Sequence, residues 1–251
     1  MWDNGNGVRI PAGFRGYSGM RIWALAGVLG LCLAGCSTPQ AENNDPLEGT
    51  NRWIFELNQK IDRHALRPTA ERYVNNVPEG VRNGVHDVLA NLDLPVTFAN
   101  DLLQGEPKRA AQAAGRFLLN STFGLAGVFD VAGESAGIEE HHEDFGQTLG
   151  VWGVGDGPYL VLPFLGPAPP RDAIGQAVDI GLDPTTYLSV RYGYWYLWIP
   201  AHKYAGLVDF RARNLENLDE IERDSLDYYA TTRSLYRQYR ASEIRNGRPP
   251  S

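Results

Sequence analysis

The residues best suited to bind a metal ion lie in one run of carboxylates and imidazoles from Glu139 to Asp144 (EEHHED). A zinc hydrolase needs two or three such groups converging on one ion, and another segment usually supplies at least one ligand. Neighbouring His141 and His142 point in different directions on most backbones, and no His-x-x-x-His spacing occurs in the chain. A solvated acidic loop explains the run better, so we predict no metal ligand and no cofactor.

The sequence does not support a catalytic serine either. A nucleophile elbow holds its serine on a sharp turn between a strand and a helix, within reach of a histidine base. Four serines were considered and none is predicted to lie in that context: Ser121, Ser135, Ser189 and Ser225. The chain is therefore predicted not to be an enzyme, and a metal-dependent hydrolase is the least favoured alternative.

The most informative stretch runs from Glu143 to Pro167 (EDFGQTLGVWGVGDGPYLVLPFLGP). Glycines recur in its first half and disfavour a helix there, and an apolar run with a proline follows. No Gly-Lys-Ser/Thr comes after the glycines, so a nucleotide phosphate loop is not predicted. We predict a rigid apolar loop or hairpin clamped between helices.

Nucleic acid is not a predicted partner, because the formal net charge of the 251-residue chain is −7 and phosphate binding needs a basic surface. Near the start, Ile22 to Leu33 has the length of a signal-peptide apolar region, and Leu33-Ala34-Gly35-Cys36 is a lipoprotein processing site. We expect residues 1–35 to be removed, Cys36 to carry the lipid, and residues 36–44 to form a polar tether. Translation is expected to start at Met20, which would leave residues 1–19 outside the protein.

The elements that must position any site are predicted to be helices, because apolar residues recur at helical spacing after Asp45. A long helix with a charged outer face is predicted from Gly206 to Arg240, followed by a disordered tail, residues 241–251. The shorter helices are predicted from Asn51 to Arg67, Pro78 to Leu92, Pro95 to Leu103, Pro107 to Leu118 and Asp172 to Leu182.

An aromatic cluster precedes the long helix. Aromatic rings with a polar tip prefer the depth of lipid headgroups, which makes these residues candidates for a membrane interface, although burial in a core or a protein interface remains open. The five candidates are Tyr192, Tyr194, Trp195, Tyr196 and Trp198.

Several of these motifs, in this order, resemble the MlaA (VacJ) family of outer-membrane lipoproteins. The resemblance covers about Asp45 to Pro184, and the glycine-rich segment with Arg171, Asp172 and Gly175 carries most of it. The other matching motifs are Asp45-Pro46-Leu47-Glu48-Gly49, Asn51-Arg52, Arg67-Pro68, Leu103-Gln104-Gly105 and Asn120-Ser121.

The resemblance implies a mainly α fold, with short amphipathic helices in a ring-like assembly, a glycine-rich apolar loop and a long C-terminal helix over residues 45–240. It implies a protein in the inner leaflet of the outer membrane that removes mislocalised phospholipids through a polar channel. It also implies two protein partners, a trimeric porin and a soluble periplasmic lipid carrier. A structural porin-associated lipoprotein without a transport role is the alternative, ahead of a periplasmic metal-dependent hydrolase.

On this resemblance, the glycine-rich segment is expected to form part of the channel wall. Arg171 and Asp172 are expected to be either a structural pair or a channel-lining pair. The other candidates for the channel or its loop are Asp144, Phe145, Gly146, Gly155, Gly157, Pro158 and Tyr159.

Overall fold

Helices dominate the part of the chain that the structure, a computed structural model, describes, which is residues 44–249. A five-residue π-helical turn, Asp62–Leu66, joins the first two helices. The helices and strands are α1 (Glu48–Ile61), α2 (Arg67–Asn76), α3 (Glu79–Leu103), α4 (Pro107–Thr122), α5 (Val131–Ala136), α6 (Phe145–Val151), β1 (Val161–Leu162), β2 (Gly166–Pro167), α7 (Pro170–Leu182), α8 (Pro184–Arg191), α9 (Trp195–Arg213), α10 (Leu215–Asp224) and α11 (Tyr228–Ile244).

The mainly α prediction is confirmed, and residues 44–249 belong to one compact unit. Four helices pack against one another in a closed circuit: α3 packs on α7, α7 on α8, α8 on α9, and α9 on α3. This closed circuit agrees with the ring-like assembly that the resemblance implies. Within residues 44–249, no helix combines the length and the apolar character needed to cross a membrane.

Two predicted breaks at prolines are wrong. Pro68 lies in the first turn of α2, where its missing N–H costs nothing, so the chain continues helically past Arg67. Pro95 lies inside α3, which runs unbroken to Leu103. Leu94 and Val96 are both buried, and their packing holds the two halves of α3 in line despite the hydrogen bond that Pro95 removes.

The single helix predicted from Gly206 to Arg240 is also wrong, because three helices occupy this region. Helix α9 ends before Asn214, and an extended Ser225 separates α10 from α11. The Asp227 carboxylate then accepts a hydrogen bond from the Ala230 backbone nitrogen at 3.1 Å, which caps the start of α11. Helix α11 continues to Ile244, so the predicted disordered tail begins too early at residue 241.

The first half of the glycine-rich segment forms helix α6, contrary to the prediction. Asp144 caps the helix by accepting a hydrogen bond from the Gln147 backbone nitrogen at 2.8 Å. An acidic or hydroxyl residue followed three positions later by Gln or Glu is a known start signal for a helix, and Asp144-x-x-Gln147 was the pattern that indicated it. The glycines permit close packing here: a Cβ on Gly150 would lie 2.7 Å from Ile244 Cδ1.

The second half of the segment forms the predicted hairpin, in which β1 pairs antiparallel with β2. Phe164 at its tip has a φ of 66° and is 70% exposed. Below the tip, Tyr159 and Val161 pack with Phe55 and Tyr229 in the hydrophobic core. The Asn51 amide binds the hairpin backbone twice, donating to the Tyr159 carbonyl at 2.9 Å and accepting from the Val161 nitrogen at 3.0 Å. The hairpin base is thereby fixed to α1.

Helices α6 and α7 approach most closely at Gly175. A Cβ there would lie 2.3 Å from the Gly146 nitrogen and 2.6 Å from Gly146 Cα. We expect Gly175→Ala to lower the free energy of unfolding by about 1–3 kcal/mol, because both neighbours are backbone atoms and the helices must separate. Gly181→Ala on the same helix is the control, since its Cβ meets nothing within 4 Å, and it should be neutral or stabilising by up to about 1 kcal/mol. Urea unfolding measures both, and equal losses would contradict the packing role.

Candidate functional site

Helices α3 and α4 bury several polar residues and expose several large apolar ones. On α3, Asn91, Asn100 and Asp101 are at most 4% exposed, while Val81 and Leu102 are more than half exposed. A helix on the surface of a water-soluble protein has the opposite arrangement. The apolar stripe predicted for this helix therefore faces outwards at several positions, away from the polar residues.

The same inversion appears on α4. Arg116 and Asn120 are 2% and 3% exposed, whereas Leu118 is 62% exposed. Because buried charged and amide groups are costly unless they are paired or hydrated, these residues indicate a polar interior between the two helices.

A cavity of about 470 Å³ lies in this polar interior, between α3, α4 and α9. The connection from Glu140 to His142 closes part of its wall. The polar and charged side chains that line it are His86, Asp87, Asn91, Asp93, Thr97, Arg116, Asn120, Asp130, Glu140, His141, His142, Asp209, Arg213, Asn214 and Tyr239.

One wall of the cavity is a cluster of three charged or titratable side chains. His86 Nδ1 lies 2.7 Å from Asp209 Oδ2, and Arg213 Nε donates to the same carboxylate at 3.2 Å. The hydrogen bond to Asp209 raises the pKa of His86 above its ordinary value, although burial opposes this. Arg213 also donates to Asn83 Oδ1 at 3.2 Å, so the cluster ties α9 to α3.

The opposite wall is organised by Arg116. Its guanidinium binds Asp130 Oδ2 at 3.0 Å and lies 3.7 Å from Glu140 Oε2, and it also donates to the Ile138 carbonyl. Asn120 donates to Asp130 Oδ1 at 2.9 Å. Burial favours protonation of Asp130, but these hydrogen bonds outweigh it and lower the pKa of Asp130 below its ordinary value.

The acidic run from Glu139 to Asp144 forms a loop, as predicted, but it is only partly solvated: Glu139, Glu140 and His142 are exposed, whereas His141 and Asp144 are half-buried. Glu143 is 1% exposed and accepts hydrogen bonds from Arg109 at 2.6 Å and Gln104 at 2.8 Å. Burial raises the pKa of Glu143 despite these partners. His141 Nε2 lies 2.9 Å from Asp101 Oδ2, so the run is anchored to α3 and α4. Between residues 44 and 249, no group of three His, Cys, Asp or Glu side chains is placed to hold a metal ion.

Ser135 stands in the sequence Gly133-Glu134-Ser135-Ala136-Gly137, which has the spacing of a nucleophile elbow. In the structure it lies in the six-residue helix α5, and its side chain is exposed. The described segment before α5 is a series of turns rather than a strand. The strained strand-to-helix geometry that such a serine needs is therefore absent at this site.

The predicted residues Asp144, Arg171 and Asp172 meet in a buried ionic cluster with Arg240 of α11. Arg240 donates to Asp144 at 2.6 and 2.9 Å and to Asp172 at 2.9 Å. Arg171 Nε and the Tyr236 hydroxyl also bind Asp172, at 2.9 and 2.6 Å. Burial opposes ionisation of Asp144 and Asp172, but the Arg240 guanidinium prevails and lowers both pKa values. None of these residues lines the 470 Å³ cavity. The cluster instead joins the start of α6 to α7 and α11.

The remaining loop candidates also lie away from that cavity. Gly146 packs beneath Arg240 and Asp172, and Phe145 contacts Trp152 edge to face, with ring centroids 5.8 Å apart. Gly157, with a φ of +77°, accepts a hydrogen bond from the Asn44 side chain through its carbonyl at 2.8 Å. Tyr159 is fully buried, Pro158 is half-buried and Gly155 is exposed.

Four of the five aromatic candidates are exposed on the chain around the start of α9. Tyr192, Tyr194, Trp195 and Tyr196 are between 40% and 73% exposed. Trp198 is less exposed and donates from Nε1 to Thr185 Oγ1 at 2.9 Å. Burial in a core is therefore excluded for the first four, whereas a lipid interface and a protein interface both agree with their exposure. Cys36, the predicted signal peptide and nearly all of the tether lie outside the described residues.

Comparison with known proteins identifies the family. A family model described as MlaA lipoprotein matches residues 43–243, which is most of the chain and includes all of the helices described above except the last residue of α11. The chain belongs to the MlaA lipoprotein family.

Relatives in the MlaA family cover the chain almost completely. The intermembrane phospholipid transport system lipoprotein MlaA of Haemophilus influenzae is 36% identical over 229 residues, which span 87% of this chain and 88% of that protein. The protein of the same name from Escherichia coli K12 is 36% identical over 235 residues, 91% of this chain and 90% of its own length.

A solved structure shows the same fold. It comes from work described as the structural basis for maintenance of bacterial outer membrane lipid asymmetry, and it superposes with a TM-score of 0.71. The sequences are 34% identical, and the match covers 80% of this chain and 98% of that one. This agreement supports the mainly α, ring-like fold implied by the resemblance to MlaA.

The cavity-lining residues of this MlaA family member were largely missed from sequence. His86 and Asp209 are 123 positions apart, so no local motif joins them. A signal was nevertheless present: polar residues at helical spacing on α3, including Asp87 and Asn91, indicated a second, polar face. The apolar stripe by itself leaves open whether that face packs in a core, whereas the structure places polar residues of α3 in the interior.

Proposed function

We propose that this protein removes mislocalised phospholipids from the outer leaflet of the outer membrane through the polar cavity between α3, α4 and α9. It then passes them to a soluble periplasmic carrier for retrograde transport, which maintains lipid asymmetry. The observation that carries the proposal is the inversion of α3 and α4, with apolar residues outside and a polar cavity inside.

The physical reason lies in the lipid headgroup. Moving a charged headgroup through hydrocarbon is very unfavourable unless water or polar groups accompany it. A cavity lined by carboxylates, arginines, histidines and amides supplies such groups, and it lowers this barrier without hydrolysing any bond. The names of the MlaA relatives and the subject of the similar solved structure support this role, and in this role the protein is a transport lipoprotein without catalytic activity or cofactor.

The same proposal places the body in the inner, periplasmic leaflet of the outer membrane. Lipid on Cys36 anchors the chain, and two or more acyl chains hold a protein at a membrane stably. The exposed aromatic rings from Tyr192 to Tyr196 lie at headgroup depth. The exposed side chains of Phe123, Leu125 and Phe164, each at least 69% exposed, contact the acyl chains.

The protein partners in this proposal are a trimeric porin in the same membrane and a soluble lipid carrier in the periplasm. A porin offers a large apolar outer wall against which the exposed apolar side chains pack. A carrier gives the process its direction, because it binds the lipid that leaves the cavity.

Outer-leaflet phospholipid in a strain that lacks this protein tests the proposal. The strain is complemented with wild type, Cys36→Ala or Cys32→Ala, and we expect accumulation that wild type and Cys32→Ala reverse but Cys36→Ala does not. Cys32→Ala is the matched control, because Cys32 lies in the predicted signal peptide and leaves with it. An unchanged leaflet in the deletion strain, together with co-purification with a porin, would favour the structural lipoprotein instead. Full activity of Cys36→Ala would refute the anchored mechanism.

A further inference from the structure

The lining of the cavity has an excess of negative charge. Five carboxylates face two guanidinium groups, an excess of three negative charges with neutral histidines and of two when His86 is protonated. The carboxylates are Asp87, Asp93, Asp130, Glu140 and Asp209, and the guanidinium groups belong to Arg116 and Arg213.

The two arginines are already engaged by the cavity's own acids. Arg213 binds Asp209 at 3.2 Å, and Arg116 binds Asp130 at 3.0 Å. Within residues 44–249, Asp87 and Asp93 form no ion pair, and both line the cavity. Burial raises the pKa of Asp87, and the nearby carboxylates of the cavity raise it further, although His86 and Arg213 oppose them.

A buried acceptor in the same cavity points to a ligand with hydrogen-bond donors. Asn91 is 4% exposed and lines the cavity. Its Nδ2 donates to Ser121 Oγ at 3.1 Å, whereas its Oδ1 is buried and has no hydrogen-bond partner. Leaving a buried acceptor unsatisfied is unfavourable, so a rotation of the Asn91 side chain that turns Oδ1 towards a donor in the cavity gains a hydrogen bond.

An ammonium group satisfies both features. It carries positive charge for the excess carboxylates and N–H donors for the Asn91 oxygen. A metal ion is a poorer match, because in the part of the chain that the structure describes no three His, Cys, Asp or Glu side chains converge on one point.

We propose that the cavity selects phospholipids whose headgroup carries a primary ammonium group over phospholipids whose headgroup has a net negative charge. The proposal rests on the function proposed above and adds a substrate preference to it. The ammonium group lies against Asp87 and Asn91. The lipid phosphate lies towards Arg213, whose side chain is 37% exposed. An anionic headgroup brings the same phosphate without the compensating cation and is repelled by the acidic lining.

Lipid retention by the purified, lipidated chain tests this preference. The protein is held in detergent micelles containing equal amounts of phosphatidylethanolamine and phosphatidylglycerol with identical acyl chains, and retained lipid is measured by mass spectrometry. We expect phosphatidylethanolamine to be enriched about tenfold over phosphatidylglycerol in the retained lipid. An enrichment of this size corresponds to one charge interaction of modest strength. Asp87→Asn should bring the ratio close to that of the micelle. Glu220→Gln, which removes an exposed carboxylate on α10 outside the cavity, should leave it unchanged.

The outcomes separate the preference from the function itself. Equal retention of both lipids by the wild type would overturn the preference and leave the proposed function standing, whereas retention of neither would overturn both. An unchanged ratio in Asp87→Asn, with helicity intact, would refute the role of Asp87. Excess free ethanolamine should not displace the retained lipid, and displacement would show that the cavity binds small amines rather than lipid headgroups.

Discussion

Replacement of Arg240 by methionine is expected to lower the free energy of unfolding by about 3–5 kcal/mol, because it leaves the half-buried Asp144 without its ion-pair partner and the buried Asp172 with Arg171 alone. Arg240 and Asp172 are buried, with 9% and 4% of their surfaces exposed. Burial raises the pKa values of Asp144 and Asp172, and the Arg240 guanidinium contributes most to holding both below their ordinary values. Without it, each carboxylate must either stay charged in a poorly solvated site or take up a proton.

The control is Arg248→Met, which removes an arginine–carboxylate pair of the same length. Arg248 lies 2.6 Å from Glu106, but its side chain is 66% exposed. Exposed pairs contribute about 0–1 kcal/mol, so this variant should unfold close to the wild type. Urea unfolding followed by circular dichroism compares the two variants, and equal losses would show that the buried cluster does not hold α11 to α6 and α7.

Replacement of Gly206 by tryptophan is expected to abolish lipid removal while leaving the protein folded. Gly206 lies on α9 and lines the cavity, and a Cβ there meets nothing within 4 Å. The backbone therefore accepts a side chain, and an indole ring at this position enters the 470 Å³ space. Outer-leaflet phospholipid in a strain complemented with Gly206→Trp should rise to the level of the deletion strain, at an unchanged amount of protein.

Gly80→Trp is the matched control for this change. Gly80 lies in the first turn of α3, and a Cβ there also meets nothing within 4 Å. It is exposed and does not line the cavity, so this variant should restore the leaflet fully. If Gly206→Trp restored asymmetry as well as Gly80→Trp does, the cavity would not be the route of the lipid.

Sequence periodicity and proline positions predicted much of the helical content. The starts of α3 and α4 follow from Pro78 and Pro107, since proline fits the beginning of a helix. Prolines were misleading signals at two other positions: Pro68 lies in the first turn of α2, where proline is tolerated, and the packing of Leu94 and Val96 keeps α3 continuous across Pro95. For helix α6, the capping pattern formed by Asp144 and Gln147 was a better indicator of secondary structure than the neighbouring glycines.

The candidate site was harder to predict than the fold. Arg171 and Asp172 belong to a buried cluster completed by Arg240, which is 68 positions from Asp172 in sequence, so no local pattern joins them. The cavity depends on α3 and α9 meeting at His86 and Asp209, and only the tertiary fold brings them together. Composition and local spacing carry no information about such a contact, whereas the inverted polar faces of α3 and α4 were readable in retrospect.

Photocrosslinking in intact cells tests most directly whether phospholipid enters the cavity. A photoreactive phenylalanine analogue is placed at position 206 or at position 80, the cells are irradiated, and the purified protein is analysed by mass spectrometry. The proposed function predicts phospholipid adducts from position 206 and none, or far fewer, from position 80. Adducts of equal yield at both positions, or none at 206, would contradict the passage of lipid through this cavity.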